Sequence, residues 1–273
     1  MGYNCLSLLF LESLVMNTHK IAHLSVIYVT NPDLVRLAQE TYQSVPKAIF
    51  KLAVVNANPV GFEVSNWTTE TLHNTENCLS LAWNKGIERL KDLGCRYVFA
   101  TNLDVLVSKS LLKSLYLLLK KQPTFGMVSA TSVESYPDYR RLIQAKSPYS
   151  TFEPIEHGDG SFSCFLLDIE AFAKVGPFDV NFKPAYFEDN DYLERLWSCG
   201  YTPQRITNQY YFHHQQGTLK TCRETLLAYP AFMQRNLEYF QQKHGKTPEH
   251  LPADVSFITS ASGAQQNRDM DKE

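Results

Sequence analysis

From His23 to Ala130, short β-branched or apolar runs alternate with segments whose apolar residues recur at helical spacing, and this alternation constrains the fold more than any other feature. His23 to Thr30 reads as a strand closed by Asn31-Pro32, and Asp33 to Ser44 follows with Leu34, Leu37, Ala38 and Tyr42 at helical spacing. Lys51 to Asn56 gives a second strand, broken by Asn58-Pro59. Residues 79–90 then place Leu79, Ala82, Trp83, Gly86, Ile87 and Leu90 on one face, with Gly94 positioned to end the helix. Tyr97 to Ala100 is a buried strand running into Thr101-Asn102-Leu103-Asp104, a leucine-rich helix spans 108–121, and another strand fits 126–130. Units of this kind pair their strands in parallel and cover both faces with helices. The expected fold class is therefore α/β, a single domain with a Rossmann-like, mostly parallel central sheet flanked by helices.

After Thr131 the rhythm fails for a stretch long enough to suggest a functional loop, populated by Tyr136, Tyr139, Arg140, Arg141 and Tyr149. An ordinary solvated connection explains it equally well. Strand character returns at 161–167, a short helix fits 170–175, a last strand fits 204–212, and 221–244 is helical with an interruption at Pro230. The ordered domain is expected to span 21–250, with residues 1–20 an N-terminal extension and 251–273 a small, polar, disordered tail.

At 273 residues and 44% hydrophobic content, the chain can bury a substantial core, and its formal net charge of −2 excludes the basic surplus of a nucleic-acid binder. Six cysteines without Cys-x-x-Cys spacing read as reduced core residues, which suits a cytoplasmic location. No segment reaches the roughly 18 apolar residues needed to span a bilayer. Cys5 to Val15 is apolar but carries Glu12 and lacks a positive flank, so it makes a poor signal peptide. It could instead give peripheral contact at the inner face of the membrane.

Chemistry concentrates at predicted element ends. Glu188, Asp189 and Asp191 crowd the first turn of a helix whose buried face is marked by Leu193, Leu196 and Trp197. Acidic first turns are also a general helix-start signal, and Asp191 is spaced to pair with Arg195 one turn on. Asp104 follows a buried strand, at the kind of sheet edge where open α/β folds bind ligands. His213 and His214 end the last strand. Alternation sends them to opposite faces, so only one can join Asp104. Carboxylate and imidazole together suit Mn²⁺, whereas Mg²⁺ prefers all-oxygen shells.

Several motifs, taken in order, resemble the inverting glycosyltransferases of family 2, which have the GT-A fold, and most of all their bacterial rhamnosyltransferase-type members. The residues are Asn77 with Ala82-Trp83-Asn84-Lys85-Gly86-Ile87, Thr101-Asn102-Leu103-Asp104-Val105, and Gly160 with Phe162. They continue through Val175-Gly176-Pro177-Phe178-Asp179, Phe187-Glu188-Asp189-Asn190-Asp191, Arg195, Gly200-Tyr201 and His213. Order and spacing match over roughly residues 23–218, nearly the whole expected domain. The resemblance implies a nucleoside-diphosphate sugar as donor, a divalent cation (Mn²⁺ or Mg²⁺) at its diphosphate, and a glycan or lipid-linked acceptor. It implies Asp189 as the base, with Glu188 as the rival, and Asp104 with His213 as metal ligands. Thr30, Asn56, Asn77, Asn84, Lys85, Asn102, Asp104 and Gly160 fall in the nucleotide-sugar site, with Asp191 and Arg195 supporting.

Two departures matter. Asn56-Ala57-Asn58 stands where the family often has an Asp that reads the base; an amide still suits uracil or thymine, favouring UDP or dTDP over GDP. Asn102 replaces the first Asp of the D-x-D motif, leaving one certain carboxylate for the metal. A non-catalytic nucleotide-sugar or glycan binding module with the same fold is the alternative.

Overall fold

A computed structural model of the chain describes residues 21–27, 32–56, 68–145, 151–156, 162–214 and 223–248. The expected N-terminal extension and C-terminal tail lie outside them. The first strand, β1 (Ile21–Ile27), is buried along its whole length because it runs between β2 (Phe50–Asn56) and β4 (Tyr97–Asn102), parallel to both. Between these strands come helix α1 (Pro32–Ser44), strand β3 (Glu70–Asn74) and helix α2 (Leu79–Asp92). The chain continues through β5 (Val105–Val107), α3 (Leu111–Lys121), β6 (Met127–Val133), α4 (Tyr136–Leu142) and β7 (Phe152–Pro154). It ends with β8 (Cys164–Asp168), α5 (Ile169–Val175), α6 (Glu188–Ser198), β9 (Gln204–His213) and α7 (Arg223–His244).

Nine strands form one sheet in the order β3-β2-β1-β4-β8-β6-β9-β5, with β7 added alongside β9. Strand β8 is antiparallel to both β4 and β6. Strands β4 and β6 therefore share a direction, and β9 runs parallel to β6. Only β5 and β7, both antiparallel to β9, join β8 in opposing the rest. This is the expected α/β architecture, with antiparallel strands that the helical rhythm does not announce. Strands of three residues, such as β5 and β7, are too short to display alternation, and α4 buries only Tyr139, so it has no apolar stripe to read. The stretch after Thr131 accordingly holds an element that the sequence leaves blank.

Helices α2, α5 and α6 cover one sheet face through Trp83, Ile87, Phe172, Tyr192 and Leu193, and α3 covers the other through Leu111, Leu115 and Leu119. Close approach of α2 depends on Gly86, where a Cβ would come within 2.4 Å of the buried Leu24 side chain. Helix α7 continues through Pro230 and makes a separate cluster, in which Phe232, Met233, Leu237 and Phe240 pack on Phe182 and Phe187. Each such side chain contributes about 1.5–3 kcal/mol when fully buried. The C-terminal helix is thereby fixed against the loop that leads into α6.

Candidate active site

After β4 the chain turns through Leu103-Asp104 directly into β5, and β5 pairs with β9 so that Val105 lies opposite His213. The His214 N–H donates to the Asp104 carbonyl at 2.9 Å. This register carries the Asp104 carboxylate to 3.5 Å from the His213 ring, Oδ1 to Nε2. Ser163 Oγ sits 3.3 Å from the same ring. His214, on the alternate face, is exposed.

Two donors at this separation can share one divalent ion, since metal–ligand bonds of about 2.0–2.2 Å put neighbouring ligands about 3 Å apart. Asn102 strengthens the fit: its side-chain oxygen is buried without a hydrogen-bond partner, an acceptor that a cation or a ligand donor would satisfy. Among the described residues no group of three or more His, Cys, Asp or Glu side chains converges on a metal position. Water and ligand oxygens would have to complete any shell built on Asp104 and His213.

The acidic helix mouth is presented by a strained turn. Tyr186 and Phe187 both adopt left-handed backbone, φ 76° and 70°, a conformation that costs an ordinary residue of order 1–3 kcal/mol. Packing compensates. Phe187 is buried against Phe240, and the buried Asn236 amide donates to the carbonyls of Ala185 (2.9 Å) and Tyr186 (3.2 Å). From this turn Glu188 enters the interior, one of its oxygens lacking a hydrogen-bond partner, while Asp189 stays half-buried. Burial first, and then the neighbouring Asp189 charge, hold the Glu188 carboxyl well above the usual carboxylate range. Asp191 is fully buried and meets three cationic or imidazole groups: Arg195 at 2.9 Å, Lys243 at 2.7 Å and His244 at 2.8 Å.

Phe162 and Ser163 connect the two clusters: the Phe162 ring lies 6.3 Å from Tyr192 of α6, and Ser163 Oγ is the group 3.3 Å from the His213 ring. The Tyr186 phenol, in the turn before the helix mouth, is pushed far up by burial first and then by Tyr229. Sequence reasoning missed Tyr186, because a left-handed backbone at a non-glycine residue has no signature in the sequence. It also missed Ser163 and Asn236, which come to the site from across 50 residues in one case and from α7 in the other.

Other expected residues have different partners. Asn84 spends its amide on the Gly176-to-Asp179 turn, donating to the Phe178 carbonyl and accepting from the Phe178 N–H, both at 2.8 Å. Lys85 donates to Asn74 Oδ1 at 2.9 Å, and Asn77 is exposed. Asn56 ends β2 opposite Asn74. Arg195 reaches from Asp191 to the Val175 carbonyl. Thr30 and Gly160 lie outside the described residues.

No protein-family model matches the sequence, and no curated protein sequence does. Among solved structures the chain is similar to GalNAc-T7 crystallised with UDP, GalNAc and Mn²⁺, with a TM-score of 0.55 and 12% identity over 71% of this chain and 43% of that one. It is also similar to S. aureus TarS 1-349, with a TM-score of 0.52 and 11% identity over 78% of this chain and 65% of the other. Both are glycosyltransferases with the GT-A fold. This chain has the GT-A fold. It spans less than two thirds of the length of either neighbour. On this GT-A scaffold Asp104 follows the carboxyl end of β4 and His213 is the last residue of β9, two strands that run the same way. No helix among the described residues is long and apolar enough to cross a membrane.

Proposed function

We propose that this chain is an inverting, family-2-like glycosyltransferase that moves a sugar from a nucleoside-diphosphate sugar, UDP- or dTDP-linked, to a hydroxyl of a glycan or lipid-linked acceptor. The observation that carries the reading is the Asp104–His213 pair, 3.5 Å apart, with Ser163 on the His213 ring and the adjoining Phe162 packed on Tyr192 of the helix that opens with Glu188-Asp189. Direct displacement at an anomeric carbon needs a group to receive the leaving diphosphate on one side and a base for the attacking hydroxyl on the other. The two clusters supply these as separate centres.

Asp104 and His213 would hold a divalent cation, Mn²⁺ in keeping with the imidazole. When bound, that ion supplies charge stabilisation to the departing diphosphate. The GalNAc-T7 neighbour was crystallised with UDP and Mn²⁺, in line with this choice. Asp189 accepts the proton of the acceptor hydroxyl. Burial, and then the neighbouring Asp189 charge, raise the Glu188 carboxyl, which favours the less buried Asp189 over Glu188 as the base. Asp191, tied to Arg195 and α7, fixes the helix on which the base rides. The same reading puts the protein in the cytoplasm, at or near the inner face of the membrane where lipid-linked acceptors are met.

Incubation with Mn²⁺ and a panel of UDP-, dTDP- and GDP-sugars, scoring nucleotide release and the anomeric configuration of the product, tests the proposal. Turnover with inversion is expected. Absence of turnover with every donor, or full activity in Asp189→Asn, refutes it.

A further inference from the structure

Helix α3 turns Leu111, Leu115 and Leu119 onto the sheet, which accounts for its inner side. Its outer side is left to solvent. Lys113, Leu117, Lys120 and Lys121 fall at i, i+4, i+7 and i+8, an exposed stripe about 12 Å long. Lys109, just ahead of the helix, is exposed as well. From Val105 to Val133 the chain carries these lysines, at 109, 113, 120 and 121, and no aspartate or glutamate, although the whole sequence has a formal net charge of −2.

Helix stability does not ask for this arrangement. The macrodipole favours cations in the last turn, which suits Lys120 and Lys121. It disfavours them at the other end, yet Lys109 and Lys113 stand there and the first turn has no acidic residue. Lys120 holds its ammonium 5.5 Å from the centre of the Tyr116 ring, so its stem lies along the helix while the charge stays at the surface. Amid these charges Leu117 is 47% exposed. A second apolar group lies at the rim of the same face: Phe125, in the turn after α3, packs on the cluster that α3 covers, and its ring is 5.9 Å from that of Phe152, which is 49% exposed. Glu153, beside Phe152, is set against Arg205.

Lysines around exposed apolar side chains match the two layers of an anionic bilayer surface. Ammonium groups meet the lipid phosphates, and apolar groups enter the boundary between headgroups and acyl chains. A nucleic-acid backbone would engage the lysines but offer nothing to Leu117 or Phe152. We infer that the outer face of α3 docks this protein peripherally on a membrane of anionic phospholipid, with Lys109, Lys113, Lys120 and Lys121 among the headgroups and Leu117 at the acyl boundary. This gives the membrane location proposed above a surface, and it rests on charge and exposure at α3 rather than on the glycosyltransferase reading.

Flotation of the full chain with vesicles of phosphatidylcholine, alone or with about one third phosphatidylglycerol, tests it. Only the anionic vesicles should carry the protein, and raising salt from about 0.1 M to about 0.5 M should release it. Each lysine near such a surface is worth about fivefold in partitioning, so the double variant Lys109→Gln, Lys121→Gln should bind about 25-fold more weakly. Leu117→Ser should lose several-fold and keep the salt dependence. Circular dichroism checks that the variants fold, and Lys109→Gln alone, outside the helix, should still show the fivefold loss. No binding to either vesicle, equal binding to both, indifference to salt, or wild-type binding by the double variant overturns the inference. Retention of an RNA duplex with the vesicles left unbound overturns it in favour of nucleic acid. Donor and acceptor are absent throughout, so failure of docking leaves the sugar-transfer proposal standing, and failure of sugar transfer leaves the docking standing.

Discussion

Acid should unfold this protein partly through one histidine far from any catalytic role. His23 is fully buried in β1, its ring 4.4 Å from that of Tyr42 and tilted 49° to it, and hydrogen-bonded at 2.9 Å to Thr101 of β4. Burial first, and then the Lys51 charge, lower it from 6.5 to about 3. Its folded form is therefore neutral, while the unfolded chain takes up a proton below pH 6.5. Stability from this group is complete above pH 6.5 and is lost as pH falls towards 3. The slope is about 1.4 kcal/mol per pH unit, so roughly 3 kcal/mol is lost between pH 7 and pH 4, out of the 5–15 kcal/mol typical of a whole domain. The perturbation is His23→Phe, which keeps an aromatic ring beside Tyr42 but cannot titrate. Losing the bond to Thr101 costs the variant about 1–3 kcal/mol at every pH. Urea unfolding followed by circular dichroism, repeated from pH 7 to pH 4, gives both curves. Wild type minus variant should move by about 3 kcal/mol in the variant's favour on going to pH 4, so the wild-type advantage disappears or reverses, because all other groups cancel in the comparison. A constant difference across the range refutes the reasoning.

Three further outcomes follow from the site. With Asp189 as the base, Glu188→Gln should lower activity far less than Asp189→Asn, which should lose about 10²–10⁴-fold in steady-state turnover. Because the folded Glu188 carboxyl lies above its unfolded value, wild-type stability falls as pH rises past 4.5, and denaturant titrations should show Glu188→Gln gaining on wild type over that interval. Asp191→Asn removes the anion beside Arg195, Lys243 and His244; about 3–5 kcal/mol of stability should be lost, and a loss below about 1 kcal/mol in urea unfolding would show the contacts to be idle. Asn236→Ala strands the Ala185 and Tyr186 carbonyls at a cost of about 1–3 kcal/mol. Its turnover number should fall more than its donor affinity, since the left-handed turn aims the base and not the nucleotide.

The α/β alternation was legible because β1, β2 and β4 are buried strands and α1, α2 and α3 carry one apolar stripe each. What stayed hidden has physical causes. The reversed direction of β8 leaves no trace, since a strand buried on both faces has the same composition in either direction. Asp104 and His213 could be singled out separately as strand-end residues, but their 3.5 Å approach follows from β5–β9 register across more than a hundred residues. Asn84 entered the expected nucleotide-sugar site through the family resemblance, and its hydrogen bonds to the Phe178 backbone follow from tertiary contact that the sequence does not display. The acidic mouth at 188–191 was readable as a group, whereas the difference between its members comes from burial and partners: Asp191 is buried among cationic groups, Glu188 is buried with one oxygen unpartnered, and Asp189 is half-buried.

Helix α7 holds the turn at 185–187 through Asn236, and it holds Asp191 through Lys243 and His244 at its far end. The part of the described chain made last therefore fixes the start of α6, where the proposed base sits. Domains tend to form from the N-terminus during synthesis, so the sheet and the Asp104–His213 pair can assemble on the ribosome before α7 emerges. On the proposed reading, a nascent chain at that stage would have the donor cluster without a positioned base, and a stop codon ahead of residue 223 is expected to yield a protein that binds donor without transferring from it.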